Sequence, residues 1–296
     1  MAGHPVTHST TTTPGPGAPD IRSLLRGFSI ELSSDETAID AAAAHLEPAT
    51  DVYVNWLPEN HHHRSVAAAV KLRGAGFNPV PHVAARYLTG RTQLADFLAR
   101  LSGEAGVRQA LIVGGDRERP EGPFESALQL LETDLFQKYG ITRIGMAGYP
   151  EGNPRISRTA LEAALTAKLD YARGTGLTPY VVTQFCFEAA PIAGWLQNFA
   201  AARGDVPVRV GLAGPAGLAT LMKFALRCGV GNSIKALSLR GPAIARLLTE
   251  AGPDRVIRDL AQARAAPAGP AIAGLHFFPF GGFLRTAAWA REPSSP

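Results

Sequence analysis

A few residues in this chain combine a reactive side chain with a context that makes it expensive to bury. Glu31 stands inside the apolar run Phe28-Ser-Ile-Glu-Leu32, Asp116 follows Gly114-Gly115, and Gln184 interrupts Tyr180-Val-Val-Thr-Gln-Phe185. A carboxylate in an apolar strand is costly unless it is paired or performs chemistry. Partial desolvation is expected to raise the Glu31 pKa and suit it to donate a proton near neutral pH. The glycines before Asp116 let a ligand approach the backbone. The Gln184 amide needs partners for both of its ends, which a bicyclic heterocycle with adjacent donor and acceptor edges supplies. His61, His62 and His63 are consecutive and cannot all converge on one ion, so they read as a solvated loop and no metal site is assigned.

The elements that must hold these residues alternate strand and helix. Eight β-rich runs are visible: Phe28–Leu32, Asp51–Trp56, Asn78–Val83, Gln109–Gly115, Thr142–Tyr149, Tyr180–Phe185, Val208–Ala213 and Ile272–Phe278. Stretches rich in Ala and Leu at helical spacing lie between them, at Glu36–Leu46, Ser65–Gly74, Leu94–Leu101, Phe124–Tyr139, Ala160–Arg173 and Ala216–Arg227. Gly76, Gly106, Gly140 and Gly176 stand where a left-handed stop favours glycine. The long interval 214–271 has room for extra helix, at Ile234–Leu239, Pro242–Glu250 and Arg255–Ala265. Eight such units predict a (β/α)8 barrel over 21–291, with residues 1–20 and 292–296 as disordered tails. An open doubly wound sheet is the alternative, without its glycine fingerprint. Pro79 and Pro81 are awkward in the third strand because each lacks a ladder donor. In a barrel of this kind chemistry sits at the strand C-termini: Glu31, Asn55, His82, Asp116, Tyr149, Gln184 and the segment His276–Gly282.

Composition narrows the partners. The chain has 296 residues, 46% hydrophobic and 18% charged, enough apolar material for a large core. A net charge of +4 comes from scattered basic residues, which predicts no nucleic-acid partner. No run reaches the roughly 18 apolar residues of a membrane span. Two cysteines, Cys186 and Cys228, make neither a disulfide scaffold nor a CxxC site, which fits a reducing cytoplasm.

Four motifs, Phe28-Ser-Ile-Glu31, Gly114-Gly-Asp116, Ala147-Gly-Tyr-Pro-Glu-Gly-Asn-Pro154 and Thr183-Gln-Phe-Cys-Phe-Glu188, fall in the order found in the methylenetetrahydrofolate reductases, and the chain resembles that family over roughly 28–290. The resemblance implies a (β/α)8 barrel that binds FAD and moves a hydride between FAD and a tetrahydrofolate derivative. It implies that Glu31 is the general acid at folate N10, Asp116 a catalytic carboxylate close to pterin and flavin, and Gln184 the pterin reader. His82, Ala147, Tyr149, Asn153 and Lys168, with Asn55, Gly114 and Gly115, are expected along FAD. Thr220, Phe224 and Phe278 are expected at the substrate, with Phe224 also facing NADH or NADPH. Arg285 is assigned to the folate carboxylate. The chain departs from the family pattern in four places: Gly114 replaces an arginine, Asn55 a threonine and Thr220 a glutamine, and the last strand's arginine aligns near Gly282. Arg86, Arg117 or Arg119 would have to supply the missing cation. Operation mainly in the 5-methyltetrahydrofolate oxidising direction, or binding without turnover, are the alternatives. A homo-oligomer is compatible with this reading.

Overall fold

The computed structural model describes residues 21–32, 37–56, 62–230 and 252–291. Eight parallel strands close on themselves in sequence order: β1 (Ser29–Leu32), β2 (Asp51–Val54), β3 (Asn78–Ala84), β4 (Gln109–Val113), β5 (Arg143–Gly148), β6 (Thr178–Thr183), β7 (Val208–Ala213) and β8 (Gly274–Phe278). This is the (β/α)8 barrel. Its α-helices among the described residues are α1 (Ile21–Leu25), α2 (Thr37–Ala42), α3 (His62–Gly74), α4 (Arg91–Ala105), α5 (Ala127–Leu131), α6 (Leu135–Lys138), α7 (Arg158–Gly174), α8 (Ala189–Arg203), α9 (Leu218–Cys228), α10 (Asp254–Ala265) and α11 (Phe283–Arg291), with a short 3-10 turn at Ala85–Tyr87 after β3. The expected tails and the helices at Ile234–Leu239 and Pro242–Glu250 lie outside the described residues.

Alternation along the strands builds two cores. Outward residues such as Ile30, Val52, Val54, Ile112, Ile144, Val181 and Leu212 pack under the helices in one large cluster. Inward residues Tyr53, Val80, Leu111, Tyr180 and Val182 fill the barrel itself. Large rings fit inside because glycine stands opposite them: a Cβ on Gly145 would lie 2.6 Å from the Tyr180 ring. The prolines of β3 are accommodated by register. They have the same parity, so their missing N–H groups face one side. Asn78–Pro81 pair with β2, whereas pairing with β4 begins only at His82.

Most expected helices differ from the observed ones by a few residues at their ends, and two differ by more. Phe124–Tyr139 is two short helices rather than one, because Asp134 takes a left-handed φ of 57° between them. The run Glu36–Leu46 is helical only over Thr37–Ala42. All four predicted stop glycines, Gly76, Gly106, Gly140 and Gly176, have positive φ.

Candidate functional site

Glu31 is the penultimate residue of β1, on its inward side, and is buried, 7% exposed. Three neighbouring strands converge on its carboxylate. Asn55, directly after β2, donates its Nδ2–H to Oε2 at 3.0 Å. The Nε2 atoms of His276 on β8 and His82 on β3 lie 3.4 and 3.5 Å from Oε1. The other His276 nitrogen, Nδ1, is 2.9 Å from Ser29 Oγ on β1. Below the imidazoles sits the buried Tyr53 ring, edge-on to His276 at 4.5 Å and to His82 at 6.1 Å, with its hydroxyl 3.0 Å from that of Tyr180.

The expected rise in the Glu31 pKa is not found. Burial pushes it up, but the His276 hydrogen bond, the charges of His82 and His276 and the Asn55 donor outweigh burial, and the carboxyl lies below its usual value. Desolvation lowers the His82 pKa against the opposing pull of Glu31. Glu31 is therefore held as an ionised carboxylate by the groups that face it.

Asp116, past β4, is exposed, accepts the Tyr87 hydroxyl and faces Arg227 of α9 at 3.5 Å. The Tyr87 hydroxyl bond, foremost, holds its carboxyl below the usual range. Gly115 takes φ +91°, and a Cβ there would press on the Tyr87 ring at 3.1 Å, while Gly114 has open space beside it. Arg227 belongs to the tip of α9, which reaches over the barrel mouth. Its neighbour Cys228 is in electrostatic reach of Glu31 and Asp116, and a Cβ on Gly229 would collide with Pro154 at 2.2 Å. Burial, more than these charges, pushes the Cys228 thiol up.

Other predicted residues are more dispersed. Gln184 turns its Oε1 back onto the Phe185 N–H at 3.1 Å, so one end of the amide is satisfied locally. Phe224 stacks on Phe280 at 4.2 Å, and Phe278 joins them beside Phe185 and His276, making an aromatic wall at the mouth. Thr220 is half-buried one turn before Phe224. Ala147 and Tyr149 line a cleft with Arg158, Leu161, Glu162, Leu165 and Trp195. Burial, and then the neighbouring Cys228, raises the Tyr149 pKa. Asn153 Oδ1 accepts the Arg155 N–H at 2.9 Å and shapes the following turn. Lys168 is half-buried on α7, where desolvation lowers it to about 8, and it forms no ion pair among the described residues. Roughly 15 Å of helix separates it from Arg158 at the cleft. Arg285 is exposed in the first turn of α11.

Two of the cations expected to replace the arginine missing at Gly114 are already engaged. Arg86 donates to the carbonyls of Glu125 and Arg117, both at 2.9 Å, and Arg117 pairs with Glu121 at 2.6 Å over the Tyr87 ring. The histidine run is also not a free loop. His62 and His63 open α3, where His62 faces Asp96 at 3.4 Å and His63 meets Arg100 at 2.6 Å; His61 lies outside the described residues. Ser29, Tyr53, Tyr87 and Arg227 are not among the positions expected from sequence, and His276 and Phe280 are expected only as part of the segment His276–Gly282, without a role of their own. Period-two alternation in β8 places His276 inward between the outward Leu275 and Phe277, a signal that was available.

No protein-family model matches the chain. Among solved structures it is similar to a dihydropteroate synthase from Thermus thermophilus (14% identity, 92% of this chain and 95% of that one, TM-score 0.47). It is also similar to a sugar phosphate isomerase/epimerase from Parabacteroides distasonis (11%, 94% and 99%, TM-score 0.44) and to a mannanase catalytic domain from Streptomyces sp. SirexAA-E (15%, 77% and 83%, TM-score 0.42). At these identities the likeness is one of barrel architecture.

Proposed function

We propose that this barrel is a methylenetetrahydrofolate reductase-type oxidoreductase, interconverting 5,10-methylenetetrahydrofolate and 5-methyltetrahydrofolate. The observation that carries the reading is the buried Glu31 carboxylate at the barrel mouth, ringed by His82, His276 and Asn55. A barrel that only holds a ligand has no need of a desolvated acid coupled to two imidazoles. Its polar mouth fits a flat heterocycle: Asn55 Oδ1 and His82 Nε2 are buried without hydrogen-bond partners among the described residues, and Gly114 is open. These residues, with Ala147 and Tyr149, would hold the flavin ring of FAD, and Lys168 suits its diphosphate as a half-buried cation without a carboxylate. FAD, when bound, supplies the hydride donor and acceptor.

The cluster supplies the proton. Delivered to folate N10, it allows the bond between N10 and the bridging methylene to break, leaving an N5 iminium whose carbon accepts a hydride and becomes the 5-methyl group. In the reverse direction N10 returns its proton to the same cluster. Ser29 holds the far nitrogen of His276 and so keeps its Nε2 facing Glu31. The aromatic wall of Phe278, Phe280 and Phe224 excludes water beside it.

Purified protein is expected to be yellow or to take up FAD, and its reduced flavin to be reoxidised by 5,10-methylenetetrahydrofolate. A colourless protein that binds no FAD removes the flavin from the reading. Ligand binding with no turnover under any electron donor removes the reaction. One observation favours a second reading, operation mainly in the oxidising direction: the Phe224 ring assigned to the nicotinamide is already stacked on Phe280. Fast turnover with NADH or NADPH would count against it.

A further inference from the structure

Asn55 touches the central carboxylate and also carries an atom that nothing satisfies. Its amide orientation is settled by chemistry: an ionised Glu31 only accepts hydrogen bonds, so the Asn55 atom 3.0 Å from Oε2 must be the NH2 group. The other atom is therefore the carbonyl oxygen, Oδ1, and it is buried without a hydrogen-bond partner among the described residues. An unsatisfied buried carbonyl is costly, and a ligand carrying a donor removes that cost. His82 Nε2, which lies 3.5 Å from the other oxygen of Glu31, is a second buried polar atom without a hydrogen-bond partner among the described residues.

We propose that Asn55 acts at two points at once, orienting Glu31 through Nδ2 and accepting, through Oδ1, an N–H of a ring lactam or ring amine on the bound heterocycle. Binding of that N–H thereby fixes the amide plane that holds the acid. Threonine, the residue the resemblance expects here, has a single oxygen for both contacts. Asparagine separates donor and acceptor onto two atoms, so recognition of the ring and alignment of the acid can be lost independently. This inference rests on the proposed function for the identity of the ring, and not for the two contacts.

Two variants separate the contacts. Asn55→Asp keeps an acceptor towards the ligand and replaces the amide donor to Glu31 with a second carboxyl, whose like charge itself disturbs the Glu31 titration; Asn55→Ala removes both contacts without adding a charge. The probes are FAD and tetrahydrofolate, each titrated by fluorescence into the purified protein, and the acid titration of Glu31 is followed by carboxyl NMR in the protein without added ligand. The groups facing that carboxylate are His82 from β3 and His276 from β8, with the Cys228 thiol reaching it from α9. Asn55→Ala is expected to weaken one of the two probes about tenfold or more and to move the Glu31 titration upward, because a donor to the ionised form is gone. Asn55→Asp is expected to keep that affinity within about threefold while still disturbing the titration. Equal affinity losses in both variants, or an unmoved titration in Asn55→Ala, would overturn the proposal. If the wild-type protein binds neither probe, the proposed function fails. The Glu31 titration in Asn55→Ala still tests the first contact, and an unmoved one overturns the proposal. The second contact, as an N–H of a flavin or pterin ring, is then overturned with the function.

Discussion

At the scale of single residues, the chemistry depends on how one carboxylate is solvated. Glu31 has exchanged water for an amide and two imidazoles, and the exchange favours the ionised form despite burial. Replacing it with glutamine keeps the shape and removes the proton site. Glu31→Gln is expected to lower turnover of 5,10-methylenetetrahydrofolate by on the order of 10²-fold or more while leaving flavin uptake intact; full activity in a stopped-flow assay would refute the assignment. The same cluster predicts an acid sensitivity. His82 is lowered from an ordinary 6.5, so the unfolded chain takes up this proton first, and its contribution to stability is complete above pH 6.5 and declines as pH falls below that. Glu31 is lowered from 4.5, so its contribution is present above that pH and is lost as pH falls through its folded value. Thermal midpoints measured from pH 8 to 5 should fall in the wild type and fall less in His82→Gln; parallel curves for the two proteins would contradict this.

At the scale of elements, small residues decide which strands can carry large rings. Tyr180 occupies the barrel centre only because β5 has glycine at 145, and through the Tyr180 hydroxyl it supports Tyr53 beneath the two imidazoles. Gly145→Ala puts a methyl group 2.6 Å from that ring and is expected to cost about 1–3 kcal/mol by overpacking. Gly103, within α4, has nothing within 4 Å of an added Cβ and no positive φ, so Gly103→Ala is expected to stabilise by roughly 0.5–1 kcal/mol. Urea melts of the two variants should move in opposite directions. The positions of most elements were legible from alternation and from glycines with left-handed φ, since both are local properties. The break at Asp134 was not, because Phe124–Tyr139 is apolar enough at helical spacing to read as continuous, and nothing local distinguishes a left-handed Asp from a helical one.

At the scale of the molecule, the barrel closes through a sparse seam. β1 and β8 share only two paired positions, Ser29 with His276 and Ile30 with Phe277, and the first of these pairs supports the Glu31 cluster. Near this seam Arg209 of β7 bridges inside the barrel, reaching the Gly27 carbonyl at 3.0 Å and the Asp51 carboxylate of β2 at 3.0 Å, with both side chains 15% exposed. Asp51→Ala leaves a guanidinium largely buried and unpaired, and is expected to cost about 3–5 kcal/mol. A thermal midpoint unchanged from the wild type would show that the seam does not depend on this pair.

The repeating strand and helix units, hence the barrel, and the polar residues that end on its C-terminal face were legible in the amino-acid order alone, because period-two alternation and the positions of Gly and Pro are properties of neighbouring residues. That order placed Glu31, Asn55, His82, Asp116 and Gln184 at strand ends without saying which would meet. Tertiary structure decided that Glu31, Asn55, His82 and His276 form one cluster, that Asp116 joins Tyr87 and Arg227 instead, and that the Glu31 carboxyl is lowered rather than raised. Those outcomes depend on register and on side-chain direction between strands as distant in sequence as Glu31 and His276. Local propensity carries no information about such pairs until the barrel has closed.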